Sequence, residues 1–264
     1  MAPLKGQEEL LRIIRTISAG NYCDEILNLT GPDCSPEIQE LAEAVGLMMV
    51  KIEAREARLE QLLAKIRRDT VNTVTAVVHA LGARDSYSEG HGERVGVYAR
   101  RLAQRAGLSN GEVERIRIAG TLHDIGKIGF SDQIFSSEDV PLSHDMIEEI
   151  HKHPEWGRDI LQNLDFLGPA LEYVYAHHEH IDGKGYPRGL KGTDIPLGAR
   201  IISVADYFDA MTTDRSYQKG KTVDEAVEIL RSLAGSTLDA DLVEAFILEV
   251  EINGLANGKP RRKD

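Results

Sequence analysis

Cysteine is almost missing from this chain. Cys23 and Cys34 are the only two. They cannot build a disulfide framework, and they fit a reduced, cytoplasmic compartment. Long hydrophobic runs are missing too. The longest, Ala44 to Val50, has seven residues against the ~18 of a membrane span. The N-terminus, MAPLKGQEELLRII, carries scattered charges and lacks the apolar stretch of a signal peptide. Positive charge is in deficit, with 31 Lys+Arg against 43 Asp+Glu and a net charge of −12. That excludes the broad basic face needed for a nucleic-acid polymer or an anionic membrane surface. It leaves room for a small anionic ligand, provided a few cationic side chains or metal ions concentrate charge locally. Aromatic residues are scarce at 5%, but 42% apolar residues and 24 Gly over 264 residues support a sizeable core. Disordered, collagen-like and low-complexity classes are excluded. The length fits one large domain, or one domain with a smaller module.

What is present is overwhelmingly helical patterning. Leu10, Leu11, Ile13, Ile14 and Ile17 recur at helical spacing. A breaker stretch from Ala19 to Pro36 follows. Ser35, Pro36 and Glu37 read as a helix start, with a capping hydroxyl, a first-turn proline and an acid. From Leu41 to about Ala80 the pattern continues with a seam of Leu41, Val45, Met48, Ile52, Arg55, Leu59, Leu62 and Ile66. Steps alternating between four and three make a heptad, the period of a left-handed coiled coil. Two readings fit: a parallel dimerisation helix over residues 37–70, or a long amphipathic helix packed on its own domain. Arg55 on the seam counts against the dimer. Beyond Ala80 come short helical patterns separated by Gly/Pro loops, one of them at Gly126–Leu142. Ile201, Ile202 and Val204 admit a short strand, but their flanks continue as helix. The fold class expected is all-α, a bundle of roughly seven helices after residue 80.

Nine histidines are present, and most histidines in proteins are packed or solvated. Position separates them. His123 and Asp124 end an apolar helical run, and Lys127 lies one turn on, on the same face if the helix continues. Imidazole, carboxylate and ammonium so placed suit a metal with an anion, although so short a pattern also arises by chance. His177 and His178 adjoin the Gly-rich loop around Gly183, Gly185 and Gly189. They are either ligands or a polar helix end. Asp206 sits among Ile201, Ile202, Val204 and Ala205. A carboxylate there is capped, paired or a ligand, because an unpaired buried one is costly.

Taken together, ARDSYSEGHGERV, AGTLHDIGKIGFSDQI, HKHPEWG and HHEHIDGKGYPRGLKGTDIPLGARIISVADYFDAMTTDR resemble the HD-GYP family of the HD phosphohydrolase superfamily, from about Thr73 to Ile247. The resemblance implies an HD-type all-α bundle over 70–256. Its activity would be that of a phosphodiesterase hydrolysing cyclic dinucleotides, chiefly cyclic di-GMP, to linear pGpG and/or GMP. Another cyclic dinucleotide such as cyclic GMP-AMP, or a receptor signalling through the coiled coil, stands as the alternative. Carried over by position, the metal ligands are His91, His123, Asp124, His153, His177, His178 and Asp206, with Asp124 bridging. Such a set suits two iron or manganese ions better than magnesium. Tyr87 stands where some members carry a third-metal Glu, so two ions are expected. His79, His144, His151 and His180 match no ligand position.

The implied mechanism is attack on phosphorus by a water activated between the two ions, with Lys127 neutralising charge that grows on the phosphate oxygens. Lys127 and Asp124 are the catalytic residues of this reading. Lys127, Tyr186, Asp209 and Arg215 are its substrate-binding residues, Asp209 as a support of the site and Arg215 as a phosphate contact, although a surface ion pair would also explain Asp209 and Arg215. Tyr186-Pro187 carries the family's Gly-Tyr-Pro signature. His180-Ile181 departs from the family's usual Arg-Trp, Ser137 to Val140 from its Lys-Pro-Gly run, and Gln218 from a basic residue. These departures bear on the substrate, not on the metal ligands. Residues 1–69, a short helix, a Gly-containing extended connector and a heptad helix, resemble a HAMP-type signalling module through Ile13, Ile14, Ile17, Gly20, Ile26, Pro36, Glu37, Ile38, Leu41 and Val45. Residues 257–264 read as a flexible charged tail.

Overall fold

The computed structural model describes residues 6–22, 24–82, 90–135, 143–214 and 219–253. Its chain divides into two compact units, Met1–Asp69 and Thr70–Asp264. Among the described residues every regular element is helical, and the one β feature is an isolated bridge between Ala234 and Leu238. None of these helices is long and apolar enough to cross a membrane.

The first unit begins with α1, Gln7–Ser18, which turns Leu10 and Ile13 inward one helical turn apart. The connector expected to be extended instead winds into a 3-10 helix, Asp24–Thr30, because it must bury Ile26 and Leu29 on one side. The long helix α2 spans Pro36–Gly82. Its residues Ile38, Ala42, Val45 and Met49, stepping by four, three and four, complete a small core with α1 and the 3-10 helix. Proline at the first helical position is where its missing N–H costs least. The Ser35 hydroxyl, expected to cap this helix, is buried without a hydrogen-bond partner. The Ser35 carbonyl oxygen accepts from Ile38 and Gln39 in its place. Leu41 and Met48, on the heptad seam, are exposed.

The second unit holds eight further α-helices among the described residues: α3 (His91–Arg105), α4 (Asn110–Leu122), α5 (Asp132–Phe135), α6 (His144–Leu161), α7 (Ala170–Tyr175), α8 (Leu197–Thr212), α9 (Val223–Leu233) and α10 (Ala240–Asn253). Within the stretch expected to be a loop from Gly126, a 3-10 helix (Ile125–Gly129) and α5 form. The segment that admitted a strand is the interior of α8. Ile201, Ile202, Val204, Ala205 and Phe208 are all buried there, so the helix is apolar nearly all round and runs through the core. Capping boxes start α4 (Ser109 with Glu112) and α9 (Thr222 with Glu225). Helices α3 and α4 approach closely through glycine. A Cβ on Gly92 would strike the Thr121 carbonyl oxygen, and one on Gly96 the Thr121 hydroxyl. That approach sets the start of α3 beside the end of α4.

Candidate metal centre

Each histidine of the centre stands at a helix end or beside an interrupted helix turn. His91 opens α3, His123 caps α4, His153 precedes Pro154 inside α6, and His177 and His178 follow α7. Asp124 follows His123, and Asp206 projects from α8. The seven residues matched to ligand positions come together as two groups. Asp124, His153, His177 and His178 form one; His91, His123 and Asp206 form the other. Within each, one donor atom per residue lies within 4.8 Å of the rest.

Asp124 faces both groups. Its Oδ1 is 3.4 Å from His153 Nε2. Its Oδ2 is 3.3 Å from His123 Nε2, 3.6 Å from His91 Nε2 and 2.7 Å from Lys127 Nζ. The His91 ring nitrogen Nε2 lies 3.2 Å from Asp206 Oδ1. Helix α4 does not continue to Lys127. The tighter 3-10 turn after Asp124 brings the ammonium back onto its carboxylate instead.

Electrostatics fit a cation. Burial raises the cost of charging Asp124 and Asp206, yet His123 and the other cationic partners hold both carboxyls well below their ordinary range. Burial likewise opposes charge on His123, but Asp124 and Asp206 outweigh it and hold the imidazole up at about 10. A field that retains a proton there attracts a metal ion equally. Burial depresses His153 to about 4 and His178 to about 3, and drives His177 well down, so these three are neutral, as ligation requires. His153 and His177 each direct Nδ1 to a backbone carbonyl oxygen, leaving their Nε2 lone pairs facing each other at 3.4 Å. The buried His123 Nε2 faces Asp124 Oδ2 at 3.3 Å and Asp206 Oδ1 at 3.7 Å. Lone pairs converging in a buried space, beside two ionised carboxylates, fit a divalent cation.

Asp209, grouped with the substrate-binding residues as a support of the site, faces His91 and Arg94. It is buried, and its carboxylate is occupied by His91 Nδ1 at 2.8 Å and by Arg94 Nε and Nη2 at 2.7 and 2.9 Å. It orients the His91 ring. Tyr186 lies stacked between His178, at 4.8 Å between ring centroids, and His151, at 4.1 Å. His151, which matches no ligand position, thus forms the outer wall beside Tyr186. Burial and the nearby Asp124 and Asp206 raise the Tyr186 phenol, so it keeps its proton. Arg215, Gln218, Tyr87, His79 and Ser137 to Val140 fall outside what the structure describes of side chains.

Two contributors escaped the sequence reading. Arg94 is one. The other is Glu179, buried between His178 and His180, whose two carboxylate oxygens accept from the Arg188 and Leu190 amides at 2.7 and 2.8 Å and so hold the loop carrying Tyr186. The available signal was an acid wedged between histidines before a glycine-rich loop with backbone donors to satisfy.

A family profile described as HD domain matches residues 75–242. The chain belongs to the HD-domain family. The chain is similar to a cyclic di-GMP phosphodiesterase of Thermotoga maritima, at 41% identity over 172 residues, 64% of this chain and 46% of that protein. A 3'3'-cGAMP-specific phosphodiesterase 3 of Vibrio cholerae is 32% identical over 235 residues, 84% of this chain and 50% of the relative. The chain therefore spans about half the length of these curated relatives. The crystal structure of a cyclic GMP-AMP specific phosphodiesterase of V. cholerae superimposes with a TM-score of 0.55 at 22% identity, over 69% of this chain and 48% of that one, which shows a shared helical fold. An HD domain with such a His/Asp cluster fits divalent-metal binding.

Proposed function

We propose that this chain is an HD-GYP-type phosphodiesterase that hydrolyses cyclic di-GMP to linear pGpG and/or GMP. The observation that carries the reading is the position of Asp124, with one carboxylate oxygen toward each donor group and Lys127 2.7 Å away. His153, His177 and His178 would hold one ion, and His91, His123 and Asp206 a second, with Asp124 shared. Five imidazoles and two carboxylates favour iron or manganese over magnesium. Ions bound there supply Lewis acidity toward a phosphate oxygen and lower the pKa of water. Lys127 offers the ammonium that offsets charge gathering on phosphate oxygens. Tyr186, with its proton retained, donates to a phosphate from the loop, and Arg215 takes a phosphate contact on its place in the motif. Confined positive charge of this kind lets an acidic protein accept a dianionic substrate.

The test is incubation of manganese-loaded protein with cyclic di-GMP and, in parallel, 3'3'-cGAMP, followed by nucleotide chromatography. Linear product from cyclic di-GMP is expected, and its loss is expected in Asp124→Ala. The likeness to the V. cholerae cGAMP-specific relative over 84% of this chain favours cyclic GMP-AMP as the second reading, and selective turnover of that nucleotide would establish it. Tight binding with no product from either would make the protein a receptor. The reading extends to a cytoplasmic protein, supported by its cysteine usage. It also extends to residues 1–69 as a HAMP-like module that pairs two copies through 37–70, supported by the exposed seam residues Leu59, Leu62 and Ile66.

A further inference from the structure

Three imidazoles of the centre use one device. The Nδ1 atoms of His123, His153 and His177 lie 2.8, 2.7 and 2.6 Å from the carbonyl oxygens of Gly120, Ile150 and Val174, in each case three residues back. Inside an α-helix such an oxygen already accepts from the amide four residues on. For His123 and His177 there is no competitor of this kind. Helix α4 ends at Leu122 and α7 at Tyr175, so the carbonyls of Gly120 and Val174 belong to final turns, whose oxygens lack intrahelical donors. His153 differs, because it sits well inside α6, which runs from His144 to Leu161. The Ile150 oxygen would there be claimed by the amide of residue 154. That residue is proline, which has no amide hydrogen.

We propose that Pro154 is a positioning residue of the metal centre. By withholding an N–H from the Ile150 carbonyl, it turns a mid-helix oxygen into the equivalent of a helix-end acceptor, free for His153 Nδ1. The hydrogen bond then fixes the tautomer of His153 and leaves its Nε2 lone pair facing Asp124 Oδ1 and His177 Nε2, at 3.4 Å from each. The helix bears a penalty for this proline, since proline in a helix interior is strongly unfavourable. The gain falls on the site alone. This inference rests on the metal-centre reading above.

Opposite movements of stability and metal affinity test it. In the full-length Pro154→Ala protein an amide competes with His153 for the Ile150 oxygen, while α6 gains a good helix former. The metal-free variant should melt several degrees above wild type, yet bind Mn²⁺ roughly tenfold more weakly by titration calorimetry. Nitrogen-15 NMR of the metal-free wild type should show His153 protonated at Nδ1. A variant Kd for Mn²⁺ within a factor of two of wild type, or a wild-type His153 protonated at Nε2 instead, would overturn the assignment. Wild-type protein that takes up no Mn²⁺ would overturn the metal-centre reading itself, an outcome distinct from both.

Discussion

Asp209 joins His91 to Arg94. Its carboxylate lies 2.8 Å from the Nδ1 of the imidazole and within 2.9 Å of two guanidinium nitrogens. His91 and Arg94 are one turn apart on α3, and Asp206 and Asp209 one turn apart on α8, so the facing helices present matched pairs. Removing the acid in Asp209→Ala takes the carboxylate away from His91 Nδ1 and from the Arg94 guanidinium. We expect a loss of about 3–5 kcal/mol in unfolding free energy and a 10–100-fold weaker metal affinity. Urea denaturation and Mn²⁺ titration read these out, and a variant as stable as wild type would dismiss the pairing.

The same group predicts an acid limb. Burial would raise the Asp209 carboxyl, but the His91 and Arg94 bonds more than offset it and hold the pKa below its ordinary value. A carboxyl depressed in the folded state stabilises fully above its unfolded pKa, near ~4, and loses that contribution as pH falls through the folded value. Stability measured from neutral pH down to about pH 3 should therefore decline less in Asp209→Asn than in wild type, from a lower starting level. Parallel profiles would show that Asp209 does not titrate this way.

Glu179 makes a prediction of a different kind, because it touches the loop and not the donor groups. In Glu179→Gln, one of the two oxygens that accept from Arg188 and Leu190 becomes an amide donor aimed at a donor. Metal content should stay at the wild-type level, while turnover of cyclic dinucleotide falls by about tenfold or more as Tyr186 loses its fixed place between His151 and His178. Metal lost together with activity would mean that the residue supports the centre directly.

Much of this is legible in the amino-acid sequence. The period of the apolar residues announces α2, the flanks of Ile201 to Val204 favour helix for α8, and the apolar surroundings of Asp206 follow from its Ile and Val neighbours. Roles that depend on two helices meeting are harder to read. Asp209 reads as a support of the site, but which residues it meets, His91 and Arg94, shows only when α3 packs against α8. Ser35 has the residue type of a cap, but burial takes its hydroxyl out of reach of the amides. The connector before α2 has glycines enough to be extended, yet the need to bury both Ile26 and Leu29 coils it. Composition and spacing report what a segment prefers; contacts between distant segments decide what its polar atoms do.

Gly126 tests the packing behind the centre. A Cβ there would run into the His153 carbonyl oxygen and come within 2.6 Å of the Gly157 amide nitrogen, both backbone atoms of α6 that cannot swing aside. Gly126→Ala must push the 3-10 turn away from α6 and carry Asp124 with it. Overpacking of this kind costs about 1–3 kcal/mol, and we expect weaker Mn²⁺ binding besides. Alanine at Gly107, where a Cβ meets nothing within 4 Å, is the comparison. Gly107 has φ of +78°, so its alanine variant pays backbone strain alone and should leave metal affinity unchanged. Equal metal affinity in both variants would uncouple the turn from the site.

The seam on α2 carries the last prediction. Ile38, Ala42, Val45 and Met49 are consumed by the first unit's own core, whereas Leu59, Leu62 and Ile66 are 59%, 38% and 60% exposed. Seam residues Leu59, Leu62 and Ile66 are separated by three and four, so they fall on one face of the helix and form an apolar stripe in need of cover. A second copy in parallel register supplies an identical stripe, and a symmetric pair buries both. Light scattering at micromolar concentration should give twice the mass of the 29.2 kDa chain. Lysine at both Leu59 and Leu62 should reduce that to a monomer with the second unit's metal binding intact, because the substituted positions belong to the other unit. A wild-type monomer would leave the stripe without the partner proposed for it, and a doubly substituted protein that stays dimeric would move the interface elsewhere.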